Sequence, residues 1–232
     1  MAFLESNYET FLGWECDCQR TSSDTEYDPA IYQMRDILKE HSLIGYHCTK
    51  LTKNEIEAIH LKGMLLQNSD SLNKRISCLV KSGSLSEDVA QKLVTKNQAD
   101  DSNRANMLWF CFYKPHLAGR YGIERFFRSW GGEALYNSHE NTPVTGAALL
   151  TIGTPCLIKV NVPIASLKGS YYPVSSMVRV FLSQRGHRLD NGIEHEGYSL
   201  NDIKPENIIE VIEYPSNQFM ELTKCDAWEP AL

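Results

Sequence analysis

The chain has 232 residues, 42% hydrophobic and 22% charged, the balance of a water-soluble globular protein with a sizeable core and room for one domain or two small ones. No stretch approaches the roughly 18 consecutive apolar residues of a membrane span, and the acidic opening MAFLESNYETFLGWECD is unlike a secretory signal, so secretion and membrane insertion are not expected. The formal charge of −6 lies wholly in residues 1–29, where seven acids face one base, Arg20, and the neutral remainder excludes a broad basic surface for non-specific nucleic-acid binding.

The acidic head reads either as a solvated terminus or as a negative segment that meets a basic cleft or partner. The expected organisation is an acidic segment over 1–29 and a single domain over 30–232. The seven cysteines (16, 18, 48, 78, 111, 156 and 225) are an odd number and mostly lie singly among apolar residues, which fits reduced thiols in a cytoplasm. Cys16-x-Cys18 is the one close pair, so no structural zinc or other metal site is expected.

Asp28-Pro29 reads as an N-cap followed by proline, opening a helix that Ile31, Met34, Ile37 and Leu38 carry to about residue 40. Leu43 to Cys48 has the length of a buried strand. Thr52-x-x-Glu55 is a capping box with a Leu51/Ile56 staple, and Gly63 stands at a C-cap position, which predicts a helix over 53–62. Ser84-x-x-Glu87 repeats the capping pattern before a third helix, and the polar run 96–104 reads as a loop. Met107 to Tyr113 is a short aromatic run stopped by Pro115 and predicts a buried strand, followed by a helix from Tyr121 to Trp130. Further strands are expected at 156–162, 177–182, 194–200 and 208–214. Helices mainly in the first half and strands in the second predict an α+β fold. The common phosphate loops, the nucleophile elbow and the zinc helix are all absent from the sequence.

Three groups of residues remain. His47, within Tyr46-His47-Cys48-Thr49, ends an early strand and reads as a ligand-facing donor or as a core histidine satisfied by backbone. Lys114, Arg120, Arg125 and Arg128 outnumber Glu124 near Tyr121, which suits a pyrophosphate beside a flat heterocycle, or an ordinary solvated helix face. Glu194-His195-Glu196 places two carboxylates at i, i+2 of a strand start, where both can address one site or simply stand in solvent.

Taken together these motifs resemble the ADP-ribosyltransferases, especially the DNA-targeting toxins of bacterial toxin–antitoxin systems. The resemblance runs in order through Y-H-x-T (46–49), E-I-x-x-I-x-x-x-G-M-L (55–65), F-Y-x-P (112–115), E-x-E (194–196) and I-x-P-E-x-I (203–208). It implies a split β-sheet core and NAD as co-substrate, without a metal. His47 would bond the NAD ribose, with Thr49 and the Tyr46 backbone beside it; Arg120 would meet the pyrophosphate and Tyr121 would stack on nicotinamide. Glu196 would be the catalytic acid and Glu194 the substrate-positioning acid; Glu133, in the stretch Trp130 to Tyr136 that has no counterpart in the family, is a reserve candidate for the acid. Cys48 stands where the arginine-directed branch has glycine. A carboxylate at the ribose 2′-hydroxyl stabilises the oxocarbenium character that develops as nicotinamide leaves. His47, Tyr121 and Glu196 are therefore expected in one cleft. The implied acceptor is nucleic acid, or else protein, in a cytoplasmic toxin–antitoxin or phage-defence setting with an antitoxin partner. Other readings are an NAD glycohydrolase, an RNA-end phosphotransferase or nuclease using His47, Arg120 and His195, and a non-enzymatic nucleotide- or protein-binding module.

Overall fold

In the computed structural model, which describes residues 1–16, 21–168, 173–229 and 232, strands β1 (Ser42–Leu51), β2 (Leu108–Cys111), β3 (Thr154–Pro163), β4 (Glu196–Ser199) and β5 (Ile208–Glu213) form a mixed-length antiparallel sheet ordered β4-β2-β1-β3-β5. β1 and β3 pair along their full ten residues, from Ser42 opposite Pro163 to Leu51 opposite Thr154, and form its backbone. The α+β class follows. The helices are α1 (Ala2–Ser6), α2 (Tyr8–Glu15), α3 (Asp24–Leu38), α4 (Lys53–Lys62), α5 (Ser69–Lys81) and α6 (Glu87–Thr95). They continue through the second half as α7 (Gly119–Arg128), α8 (Glu133–His139), α9 (Pro143–Thr151), α10 (Val174–Ser183) and α11 (Asn217–Thr223), against the expectation that helices concentrate in the first.

Residues directly opposite each other on antiparallel strands share a face, and successive residues alternate between faces. One face buries Leu51, Leu108, Phe110, Ile158 and Val160 against Ile56 and Ile59 of α4. The other buries Leu157 and Ile212 against Ile123 and Phe127 of α7 and Phe219 of α11. Lys50 is also buried on the second face. Its ammonium donates to the carbonyls of Arg128 (3.1 Å) and Leu150, the C-terminal ends of α7 and α9, where a helix favours a cation.

Helix α4 forms as its sequence predicts. Thr52 Oγ1 accepts from the Glu55 amide at 3.3 Å while the Thr52 amide donates to Glu55 Oε2 at 2.8 Å. Gly63 ends it at φ +77°, and a side chain there would strike the Ile203 carbonyl, because the backbones of Met64 and Ile203 exchange hydrogen bonds of 2.8 and 2.9 Å beside it.

Three expectations give way to local competition. Helix α3 starts at Asp24 with Ser23 as its cap, not at Pro29 with Asp28 as its cap, because Ser23 and Glu26 form a capping box five residues earlier; the helix then runs through Pro29 and across position 29/30, where the acidic segment was expected to end. Helix α6 is capped by Ser86, not Ser84, whose amide instead closes the end of α5 on the Leu79 carbonyl. Residues 177–182 are helix α10 and not a strand: Val174, Val178, Phe181 and Leu182 lie four, three and one apart and form one buried stripe.

That stripe receives the acidic head. Leu4 and Phe11, of α1 and α2, pack with Tyr27 and Met34 of α3 and with α10. Phe11 is fully buried, worth about 2–3 kcal/mol of transfer free energy. The head's negative charge meets bases of its own chain: Glu15, 3% exposed, accepts from Arg179 Nε at 2.8 Å and from Tyr27 Oη, and Glu5 pairs with Arg185. Asp17, Cys18 and Arg20 lie outside the described residues. No helix among the described residues is long and apolar enough to cross a membrane.

Candidate functional site

The α4 face of the sheet opens into a cavity of about 220 Å³ between β1, α4 and α5, whose polar lining is His47, Thr49, Glu55, Lys62, Gln67 and Arg75. His47 Nδ1 lies 2.9 Å from the Trp109 carbonyl. A carbonyl only accepts, so Nδ1 carries the ring proton and Nε2 is left as an acceptor, suited to a hydroxyl. Burial holds the imidazole below its ordinary value, the Trp109 carbonyl pulls the other way, and the Arg75 charge adds to the depression; the ring is neutral at neutral pH.

Arg75 is fixed from two sides. Its Nε donates to Glu55 Oε1 at 2.6 Å, and its guanidinium lies 4.7 Å over the Trp130 ring. Glu55 Oε2 accepts from the Thr52 amide, the Thr52 hydroxyl and Trp130 Nε1 (3.0 Å). Burial pushes this carboxyl up, but the Arg75 charge and the bonds from Thr52 and Trp130 together hold it below its ordinary value. With all these donors Glu55 is committed to holding Arg75 and is no candidate acid. The cavity is thus a basic, partly apolar hollow with a neutral imidazole in its wall, complementary to a sugar with an attached anion.

Glu196 is on the other face. Tyr46 opposes Cys111 and Cys111 opposes Glu196, so these three side chains share the face away from His47. Glu196 is exposed, and Tyr113 Oη donates to its Oε1 at 2.6 Å. Burial and then this bond to the carboxylate push the Tyr113 phenol above its ordinary range. The thiols of Cys48 and Cys111 neighbour each other beside it, and their mutual interaction raises Cys48 and lowers Cys111. β2 separates β1 from β4, two strand spacings or about 10 Å. The expectation of one cleft holding His47, Tyr121 and Glu196 is therefore corrected: the one-residue offset between 46 and 47 turns imidazole and acid to opposite sides of the sheet.

Thr49 joins His47 at the cavity, whereas the Tyr46 side chain, half-buried near Glu210, does not. Glu194 precedes β4 as an exposed loop residue folded back on Gly192, so the expected i, i+2 pair of strand carboxylates is not formed. Arg120 is held by Glu124, with Nε to Oε2 at 2.5 Å and Nη2 to Oε1 at 3.0 Å, and by the Glu229 carbonyl. Tyr121 is 90% exposed with Arg120 5.9 Å from its ring centre. Both belong to α7, on the Glu196 side. The basic run on α7 is largely neutralised: Arg128 shares Glu124, and Arg125 pairs with Glu140 at 2.6 Å. Glu133 pairs with Arg104 at 3.4 Å on α8. His195 stacks on Phe112 at 5.7 Å and does not line the cavity that His47 lines.

Arg75, Lys62 and Gln67 were not singled out from sequence. Asn68-x-x-Ser71 with Leu72, Ile76 and Leu79 was a readable signal for α5, but nothing local says that Arg75 reaches Glu55, twenty residues back. A larger hollow of about 400 Å³ near Ser166 and Asn207 offers less, since Asp202 there accepts from the Leu66 amide at 2.7 Å and Lys204 faces Glu206 at 3.9 Å. Among the described residues no three His, Cys, Asp or Glu side chains come together as a metal site. No protein-family profile, curated protein or solved structure matches the chain.

Proposed function

We propose that the protein binds a nucleotide in the cavity between β1 and α4, and that the reaction built on it is NAD-dependent ADP-ribosyl transfer from a core of the ADP-ribosyltransferase type. The observation that carries the reading is the convergence of a neutral His47, Thr49, Lys62, Gln67 and a pinned Arg75 on one hollow. Its 220 Å³ is below the ~300 Å³ at which pockets enclose a whole drug-sized ligand, so it takes one nucleotide half, with the remainder of a dinucleotide over the rim. His47 Nε2 would accept from a ribose hydroxyl, and Arg75 rather than Arg120 would meet the phosphates.

Glu196 is the acid in this reading, by its place in the E-x-E and I-x-P-E motifs. Transfer requires its carboxylate beside the ribose, so the first residue of β4 has to turn from Tyr113 toward the imidazole when substrate arrives. Where that turn does not happen the protein is a nucleotide-binding module without turnover, a second reading favoured by the opposite facing of His47 and Glu196. Nucleic acid is the acceptor proposed, in keeping with the toxin resemblance and with the exposed Tyr121 beside Arg120 as a stacking surface; an antitoxin partner belongs to the same proposal.

Calorimetric titration with NAD, ADP-ribose and AMP tests binding, and incubation of the protein and a cell extract with labelled NAD tests transfer. Label on nucleic acid supports the proposal and label on protein redirects the acceptor. Free ADP-ribose alone makes it a glycohydrolase, and binding without NAD consumption makes it the module. Absence of any nucleotide binding ends the reading.

A further inference from the structure

The acidic head is bonded to the stretch of chain that delivers Glu194 and Glu196 to the sheet. Residues 187–195 have no helix or strand of their own. Tyr8 Oη meets His187 Nε2 at 2.5 Å, and the Asp190 amide donates to the Glu15 carbonyl at 3.1 Å. Arg179 divides its guanidinium, Nε to the buried Glu15 carboxylate at 2.8 Å and Nη1 to the Gly192 carbonyl at 3.2 Å. One turn earlier on α10, Ser176 Oγ lies 3.4 Å from His195 Nδ1, while the His195 carbonyl accepts from the Phe112 amide at 2.9 Å. An irregular segment holds one conformation only through such outside bonds, because it has no backbone ladder to resist opening.

We infer that Glu15 is a positioning residue, which orients Arg179 so that the turn at Gly192, and with it the entry of Glu196 into β4, is fixed. Its bearing on turnover rests on Glu196 being the acid proposed above; the fixing of the segment does not. Glu15 suits the task by burial. A buried carboxylate holds a guanidinium in one direction, whereas Glu5, 53% exposed, pairs with an Arg185 that is already held on the Phe181 carbonyl and ring.

The test compares Glu15→Gln, Arg179→Lys and Glu5→Gln with the unaltered protein by amide hydrogen exchange over the whole chain and by steady-state NAD consumption. In Glu15→Gln and Arg179→Lys the Asp190 amide and the amides of 197–199 are expected to exchange about tenfold faster while those of β1 and β3 do not change. NAD turnover should change in kcat by a similar factor, with KM within about twofold, because the segment entering β4 sets the starting point of the turn Glu196 makes toward the imidazole, and Glu5→Gln should leave all of these unaltered. Arg179→Lys keeps the charge against Glu15 but loses the planar fork that also reaches Gly192, so it decides the matter if Glu15→Gln fails to fold. Unchanged exchange at 190 and 197–199, or a rise shared equally by β1 and β3, overturns the inference. If the unaltered protein consumes no NAD, the reading of Glu196 falls and the exchange data alone uphold or overturn the role of Glu15.

Discussion

The two faces of the sheet spend their polar residues in opposite ways. On the α4 face a few of them are pinned and turned inward: Glu55 fixes Arg75, Trp109 fixes His47, and the result is a hollow. On the α7 face the charges close on one another, Arg120 and Arg128 on Glu124 and Tyr113 on Glu196, and the result is a covered core with an acid at its rim. The difference teaches that a charge marks a site by where its partners hold it, lining a hollow or closing over a core, and not by how many like charges stand beside it in the sequence. Four basic residues on or just before α7 outnumber their acids in sequence yet are mostly paired, whereas the unremarkable Arg75 lines the cavity.

If the faces divide the labour as proposed, substitutions on one should leave the other's task intact. The largest effect is expected for Glu196→Gln: label transfer from NAD falls about a thousandfold, as for loss of a group that stabilises transition-state charge. Titration should show nucleotide affinity at the cavity within about twofold of the original, since before its turn the acid lies on the far side of the sheet. Glu133→Gln should retain labelling. Loss of labelling in Glu133→Gln and not in Glu196→Gln would move the acid off β4 altogether.

Next in size is Arg75→Ala, expected to weaken ADP-ribose binding about a hundredfold, the ~2–3 kcal/mol of a charge-assisted bond to phosphate, while Arg120→Ala leaves calorimetric affinity unchanged. The reverse outcome would transfer the phosphate site to α7.

His47 sharpens the comparison through pH. Burial holds the folded imidazole below the ordinary 6.5, so between the two values the unfolded chain binds a proton that the folded chain refuses. Stability therefore falls as pH falls through 6.5 toward the folded value, and is fully present above it. Thermal melting should show a smaller acid loss in His47→Gln than in the original protein, and His47→Ala should weaken nucleotide binding about tenfold. The smallest effect belongs to Tyr113→Phe. Its bond is to an exposed carboxylate, so chemical denaturation should register about 0.5–1 kcal/mol or less, with no change at the cavity.

Much of the fold was legible where a short-range signal had no rival. Thr52-x-x-Glu55 fixed α4, the short apolar runs 43–48 and 156–162 lie within β1 and β3, and the aromatic run before Pro115 made β2. Where two capping signals lay within a few residues of each other the sequence did not decide between them, as with Ser86 over Ser84 and Ser23 over Asp28. Residues 177–182 read as strand because a short apolar run fits either period; tertiary packing against the head decided for helix. The site was half legible. His47 and Thr49 are at the cavity, but motif order along a chain carries no information on which side of a sheet each side chain emerges, and a shift of one residue reverses it. Arg75 was hidden for another reason, since its meaning lies in Glu55 and Trp130, which sequence does not bring near it.

The indole under Arg75 has a practical corollary. An anion that draws the guanidinium even slightly away from Trp130 alters the electric field across that ring, and the ring's other edge is tied through Glu55 to the same arginine. Emission from this tryptophan thus reports occupancy without any dye or label, so that fluorescence titration of Trp→Phe variants retaining only residue 130 gives an optical gauge built into the chain.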